Sequence, residues 1–254
     1  MRTRDHDGLG LNDIKTANAC DRWARSGREE WDPRAFPPGV GSADPNDRGR
    51  CHSPVHSKSM TLGSIAVVLG SYLLGSVDFA VLIARAKGLD IYSKGSGNPG
   101  ASNVYRSIGK KAGMTVLGLD LLKGLLAALV GAAVGGPTLG AAAGLTAVAG
   151  HCYPVFHHFR GGKGAATLSG VMFALYPVAT AVLLVVFIVL IVTTHIAAIG
   201  SIVVTLAAVP GAWLTGGRGW ALVWVGAAVA LVLYRHRGNF ARLLRGIERK
   251  VVEE

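Results

Sequence analysis

Three short stretches place cations, hydroxyls and amides among glycines, a composition suited to holding phosphate. In SKGSGNPGASNVYR, Ser93 to Arg106, Gly95, Gly97 and Gly100 permit turns closed to other residues and expose successive backbone N–H groups. Ser96, Ser102, Asn98 and Asn103 add side-chain donors and Arg106 a full charge, so the loop reads as an oxyanion cradle, with a flexible linker as the plain alternative. In GHCYPVFHHFRGGKGAAT, Gly150 to Thr167, Arg160 and Lys163 sit among Gly161, Gly162 and Gly164 directly before an expected helix. Cations on a glycine turn at a helix N-terminus attract phosphate through backbone donors, dipole and charge together. An ATP-binding P-loop is excluded: His157 stands where its first glycine belongs, and no Ser or Thr follows Lys163 to hold magnesium. The third stretch, YRHRGNFARLLRGIERK, Tyr234 to Lys250, places His236 and Asn239 at i and i+3, where both can face one pocket.

The elements that carry these stretches are apolar. Of 254 residues, 50% are hydrophobic and 16% charged, with 35 glycines and a formal charge of +11. Residues 1–59 hold 10 basic and 9 acidic groups, whereas residues 60–254 hold 16 basic and 6 acidic and run through long uncharged stretches of Ala, Gly, Val and Leu. This pattern excludes a soluble globular enzyme and a disulfide-stapled domain and predicts an all-α polytopic membrane protein. The basic excess reads as a topology signal, not a nucleic-acid surface, since the cations cluster on no soluble segment.

Apolar spans are expected at 62–84, 113–134, 138–156, 165–178, 179–194, 196–214 and 219–234. Residues 164–194 as one helix would be roughly 46 Å long, beyond a ~30 Å hydrocarbon core. Two crossings hinged near Pro177 put the basic segments 85–112, 157–164 and 235–254 on one side, the cytoplasmic one by the positive-inside rule. The expected architecture is thus seven transmembrane helices, amino terminus outside and carboxyl terminus in the cytoplasm. After the last span, Leu243, Leu244 and Ile247 opposite Arg242, Arg245 and Arg249 predict an interfacial helix.

Residues 1–59 show no periodicity and no secretory signal; they read as a disordered polar leader, with Met60 a plausible true start, and 60–254 as the membrane domain. Cys20, Cys51 and Cys152 match no disulfide or zinc pattern, and Cys51 with His52 and His56 is an incomplete metal site. Within the spans, Asp120 and Lys123 are i, i+3 and read as an ion pair packing the second helix, or as support for the site. Asp78 has no partner legible in sequence, and His151, His157 and His158 read as interfacial residues.

GSGNPGASNVYR, GHCYPVF with FRGGKGAAT, and RHRGNFARLLRGIE resemble, in order, the three signature motifs of the PlsY family, bacterial acyl-phosphate:glycerol-3-phosphate acyltransferases. The likeness covers residues 61–250. It implies a seven-span enzyme of the plasma membrane, active site on the cytoplasmic side, that moves a fatty acyl group from acyl phosphate to the 1-hydroxyl of glycerol 3-phosphate, giving lysophosphatidic acid and phosphate. Carried over by position, it implies catalytic roles for His236, Asn239, Lys163 and Ser96. It implies phosphate binding by Ser96, Gly97, Asn98, Gly100, Arg106, Lys163 and Ser201, the last of which the spacing arguments do not reach. Lys163 and Arg106 would neutralise the departing phosphate, and His236 would act as base, with a substrate phosphate as the competing proton acceptor. Glu248 would be structural. No metal and no cofactor is implied; the partners are the two substrates, the bilayer and an enzyme that supplies acyl phosphate.

The chain departs from the family pattern at Asp78, where Pro is usual, and at Thr194 to Ala198, where an Arg, a Tyr and a Ser are usual. No HxxxxD element of the acyl-CoA-using acyltransferases occurs. A transporter of a phosphorylated or anionic metabolite is the alternative reading, and a membrane phosphatase a further one; no inverted repeat supports the transporter.

Overall fold

Helices α1 (Leu62–Ser76) and α2 (Phe79–Ala86) make one apolar segment broken at Val77 and Asp78. The computed structural model describes residues 61–251, and among these every regular element is helical. Sequence reading treats 62–84 as continuous; the break exists because the Asp78 carboxylate caps α2, accepting from Val81 N at 3.1 Å. The Val77 carbonyl freed by the break takes a hydrogen bond from Lys123 Nζ at 2.9 Å. Polar groups at this depth have no water to satisfy them, so the cap and the lysine are what make the interruption tolerable.

A seven-residue helix, α3 (Ala101–Ser107), follows the first glycine loop. Helix α4 (Lys110–Cys152) has 43 residues, a length of about 65 Å if straight. Gly135 and Gly136 interrupt it, Gly136 at φ 75°, and Pro137 restarts it. The chain folds back there: a Cβ added to Gly131 would lie 2.8 Å from Gly140 Cα, so the arms 110–134 and 137–152 nearly touch.

Helix α5 (Ala165–Leu175) is 11 residues long and α6 (Pro177–Thr194) 18, with Tyr176 between them, so the expected hinge near Pro177 is present. Helices α7 (Ala197–Leu214) and α8 (Gly219–Arg235) follow, and α9 (Arg237–Leu244) bends away from α8 by 51°. The expected interfacial helix is cut short: α9 ends at Leu244, Gly246 adopts φ 70°, and Leu244 and Ile247 are exposed.

Small residues explain the packing. Any Cβ on Gly75 would strike the Ala147 carbonyl, on Gly124 that of Thr167, and on Gly170 that of Leu121. Backbone-to-backbone approach of this kind is how membrane helices gain contact where no hydrophobic effect separates them from lipid. The outer surface is apolar: Val182, Val185, Ile188, Val189 and Val192 of α6 are about half exposed or more, as a lipid-facing helix requires. The leader over 1–59, the Met60 start and the Cys51–His52–His56 group lie outside the described residues.

Candidate active site

The first glycine loop is folded by its own side chains. Asn103 accepts from Ser96 N at 2.9 Å through Oδ1 and donates through Nδ2 to the Lys94 carbonyl at 3.0 Å. Gly97 N also donates to Lys94 O at 2.9 Å, Asn98 N to Ser96 Oγ at 3.4 Å and Gly100 N to Asn98 O at 3.0 Å. The expectation of a cradle of open amides is therefore corrected: between Ser96 and Gly100 these N–H groups are spent within the loop, and Pro99 has none. What the loop presents to the site is side chains. Gly97 does not line the cavity described below, whereas Ser96, Asn98 and Gly100 do. Gly97 holds φ 67°, which supplies the turn that aims its neighbours.

The second loop is held by an arginine that the sequence did not single out. Arg235, ending α8, donates from Nε to Gly162 O at 3.1 Å and from Nη2 to Gly161 O at 2.7 Å, and its guanidinium lies 5.0 Å from the Tyr153 ring centroid. Gly162 N donates to His151 O at 3.0 Å, and a Cβ on Gly162 would strike the His151 ring. Gly164 at φ 87° then starts α5, whose N-terminus no side chain caps. Lys163 thus sits at the open positive end of a helix, as its spacing predicted. Burial pushes its ammonium down to about 8; Glu248 favours the charge, while Arg242, Arg106 and Arg235 oppose it.

His236 occupies the break between α8 and α9 and is buried. Its Nδ1 lies 2.8 Å from the Val232 carbonyl, which can only accept, so Nδ1 carries the hydrogen and Nε2 offers a lone pair. Burial pushes the imidazole down to about 4, with the Val232 hydrogen bond acting in the other direction. Asn239, one turn on, is buried with Oδ1 unpartnered among the described residues. Glu248 binds Arg242 Nε at 3.0 Å.

All these segments meet. Ser96, Asn98, Gly100, Arg106, Lys163, Ser201, His236 and Asn239 line one cavity of about 130 Å³. Of the residues that the resemblance implies for the site, Gly97 alone stands outside it; Arg160, which the sequence grouped with Lys163, lines a different cavity. Asp120 and His151 also line the polar cavity: support for the site is the second sequence reading of Asp120, whereas His151 reads as interfacial. Asp120 pairs with Lys123 at 2.9 Å, both nearly inaccessible, and its Oδ1 lies 3.4 Å from His151 Nδ1. The segment that departs from the family pattern runs into α7, whose first residues Ala197 and Ala198 join the wall, and His195 closes α6 at φ 57°. A second, apolar cavity of about 280 Å³ shares Leu117, Ala165, Ala166, Phe187 and Ser201 with the first and runs on between Leu121, Leu168, Met172 and Leu183. A polar chamber lined by cations thus adjoins an oily one across a shared wall.

A family model described as "Glycerol-3-phosphate acyltransferase" matches residues 65–246. The chain belongs to the glycerol-3-phosphate acyltransferase family. A glycerol-3-phosphate acyltransferase of Desulforudis audaxviator is 44% identical over 192 residues, which cover 74% of this chain and 96% of that protein. One of Bacillus anthracis is 41% identical over 181 residues, covering 71% and 91%. The crystal structure of PlsY, an integral membrane glycerol 3-phosphate acyltransferase, in its glycerol 3-phosphate form has a TM-score of 0.72 at 39% identity, covering 74% of this chain and 94% of that one. A lysophosphatidic acid form of PlsY gives a TM-score of 0.70. The fold is therefore that of an all-helical integral membrane protein, and the relatives lend the acyltransferase reading their support and the transporter reading none. Every residue lining the polar cavity, apart from Glu248 and Arg249, lies within the span matched by the family model.

Proposed function

We propose that the chain transfers a fatty acyl group from acyl phosphate to the 1-hydroxyl of glycerol 3-phosphate. The observation that carries this is the junction of a cation-lined cavity with an apolar one at Ser201, Ala165 and Ala166. One substrate is small and doubly anionic; the other joins a phosphate to a long chain, so the two cavities match the two halves of the donor. The relatives named as glycerol-3-phosphate acyltransferases, and the glycerol 3-phosphate and lysophosphatidic acid forms of PlsY, support the acceptor and product.

Acyl phosphate is already activated, so the protein has to position the reactants and stabilise charge. Lys163, Arg106 and the open end of α5 hold and neutralise phosphate, while Ser96 and Asn239 orient by hydrogen bonding. The acceptor hydroxyl oxygen bonds to the acyl carbon, the bond from that carbon to the phosphate oxygen breaks, and one proton must leave the hydroxyl. With His236 held at about 4, the departing inorganic phosphate, more basic than a phosphate monoester whose second ionisation already lies near 6, is the stronger base. The proton therefore goes to the phosphate, and His236 Nε2 accepts the hydrogen bond that aims the hydroxyl.

We read seven crossings, α1 with α2, the two arms of α4, α5, α6, α7 and α8; both arms of α4, α5, α6, α7 and the α8 cap His236 contribute to the cavity wall, which supports this count. The basic loops on that side favour the cytoplasmic face of a bacterial plasma membrane. We place the catalytic unit within residues 60–254, with a separate enzyme supplying acyl phosphate. The test supplies purified protein with acyl phosphate, with and without glycerol 3-phosphate. Phosphate and lysophosphatidic acid in equal amounts, dependent on the acceptor, are expected; acceptor-independent hydrolysis would replace transfer by phosphatase activity.

A further inference from the structure

A cavity of about 530 Å³ lies apart from the two just described and shares no lining residue with either. It sits where two apolar segments end, against Arg85 in the last turn of α2 and against the turn that closes Lys110–His157. Arg85, His157, His158 and Arg160 give it two guanidiniums and two imidazoles. Asp90 is the one carboxylate in its lining and accepts from Tyr92 N at 3.0 Å, so two guanidinium charges face one carboxylate.

The cavity is built and held. Tyr92 donates its hydroxyl to the Arg160 carbonyl at 2.7 Å, and the Arg160 guanidinium stacks 4.7 Å from the Tyr92 ring centroid. His158 and Phe159 adopt φ 52° and 58° without being glycine, a conformation retained only where the surroundings impose it. Phe156 in its wall and Phe159 beside it are 58% and 57% exposed, aromatic rings at the level where the spans stop.

We propose that this cavity holds the phosphate group of an anionic phospholipid from the adjoining leaflet. The cations supply the headgroup contacts and the exposed phenylalanines lie along the acyl chains, an arrangement that a soluble phosphate would use only in half. Arg160 precedes Lys163 by three residues on one loop, so a bound lipid tethers the segment that carries the site lysine to the end of the first span.

The test places the full chain in nanodiscs of equal parts phosphatidylcholine and phosphatidylglycerol and counts retained lipid by native mass spectrometry. Wild type is expected to retain phosphatidylglycerol in excess. Arg85→Gln should lower that excess roughly fivefold, the share of one interfacial cation, and Arg85→Lys should restore most of it. Arg85 lies outside the proposed active site, so the transfer rate in pure phosphatidylcholine should be the same in Arg85→Gln as in wild type. Equal retention by wild type and Arg85→Gln would overturn the proposal. Inorganic phosphate should displace the lipid no better than chloride at the same ionic strength; specific displacement would reassign the cavity to a soluble phosphate and overturn the lipid.

Discussion

Two buried polar groups lie side by side in this protein and differ in what completes them. Asp120, Lys123 and His151 are paired by charge: Asp120 Oδ1 lies 2.9 Å from the Lys123 ammonium and 3.4 Å from His151 Nδ1, though in hydrogen-bond geometry with neither, and the ammonium donates to the Val77 carbonyl. Lys163, His236 and Asn239 are not. Asn239 Oδ1 is buried without a partner among the described residues, His236 keeps a free Nε2, and Lys163 is desolvated enough to lose part of its charge near pH 8. The first cluster is paired by charge and holds helices together; the second is incomplete, and on the function proposed above a phosphate meets the Lys163 ammonium while hydroxyl groups of the acceptor meet the two open acceptors, Asn239 Oδ1 and His236 Nε2.

Breaking the charge-paired cluster should have the largest effect. Asp120→Ala leaves Lys123 charged and unpaired at depth, which costs about 3–5 kcal/mol. Thermal unfolding in detergent should show that loss in the ground state, before any assay of activity.

Lys163→Ala sharpens the contrast from the other side. It should reduce kcat/KM by about 10²-fold or more, while the unfolding temperature stays at the wild-type value. A loss of stability equal to that of Asp120→Ala would put both clusters in one structural class.

The pH dependence of kcat/KM is the smaller, graded form of the same comparison. A lysine whose ammonium is disfavoured by burial is fully charged well below pH 8 and loses its charge as pH rises through that value. The rate at low substrate should therefore fall above about pH 8, approaching tenfold per unit. Lys163→Arg, which cannot deprotonate in this range, should remove that limb at whatever rate it retains. Bound phosphate favours the ammonium, so kcat should hold to higher pH than kcat/KM.

Much of the site was legible because its chemistry is local in sequence. The glycines around Lys163, the helix start at Ala165 and the i, i+3 pair His236 and Asn239 need no knowledge of distant partners. The turn at Gly135–Gly136 and the hinge before Pro177 are equally local, since glycine and proline act on their own backbone. What stayed hidden depends on contacts made across the fold. Arg235 reads as one more cation at a helix end until its hydrogen bonds to Gly161 and Gly162 are seen. Asn103 reads as a ligand to an anion, yet its amide is consumed in folding the loop. The break at Val77 has no proline or glycine to mark it, and depends on Lys123 arriving from another helix. The interfacial helix after α8 was overextended because its periodic leucines continue past the point where Gly246 turns the chain.

The account stands on residues from separate segments gripping the same small reactants, and a double-mutant cycle measures that directly. Lys163→Ala, His236→Ala and the double variant are compared by kcat/KM for acyl transfer to glycerol 3-phosphate. Residues that serve one reacting centre are strongly non-additive, so the double variant should lose no more than about tenfold beyond the worse single one. A loss equal to the product of the two single losses would show that Lys163 and His236 act independently, and would contradict a shared site.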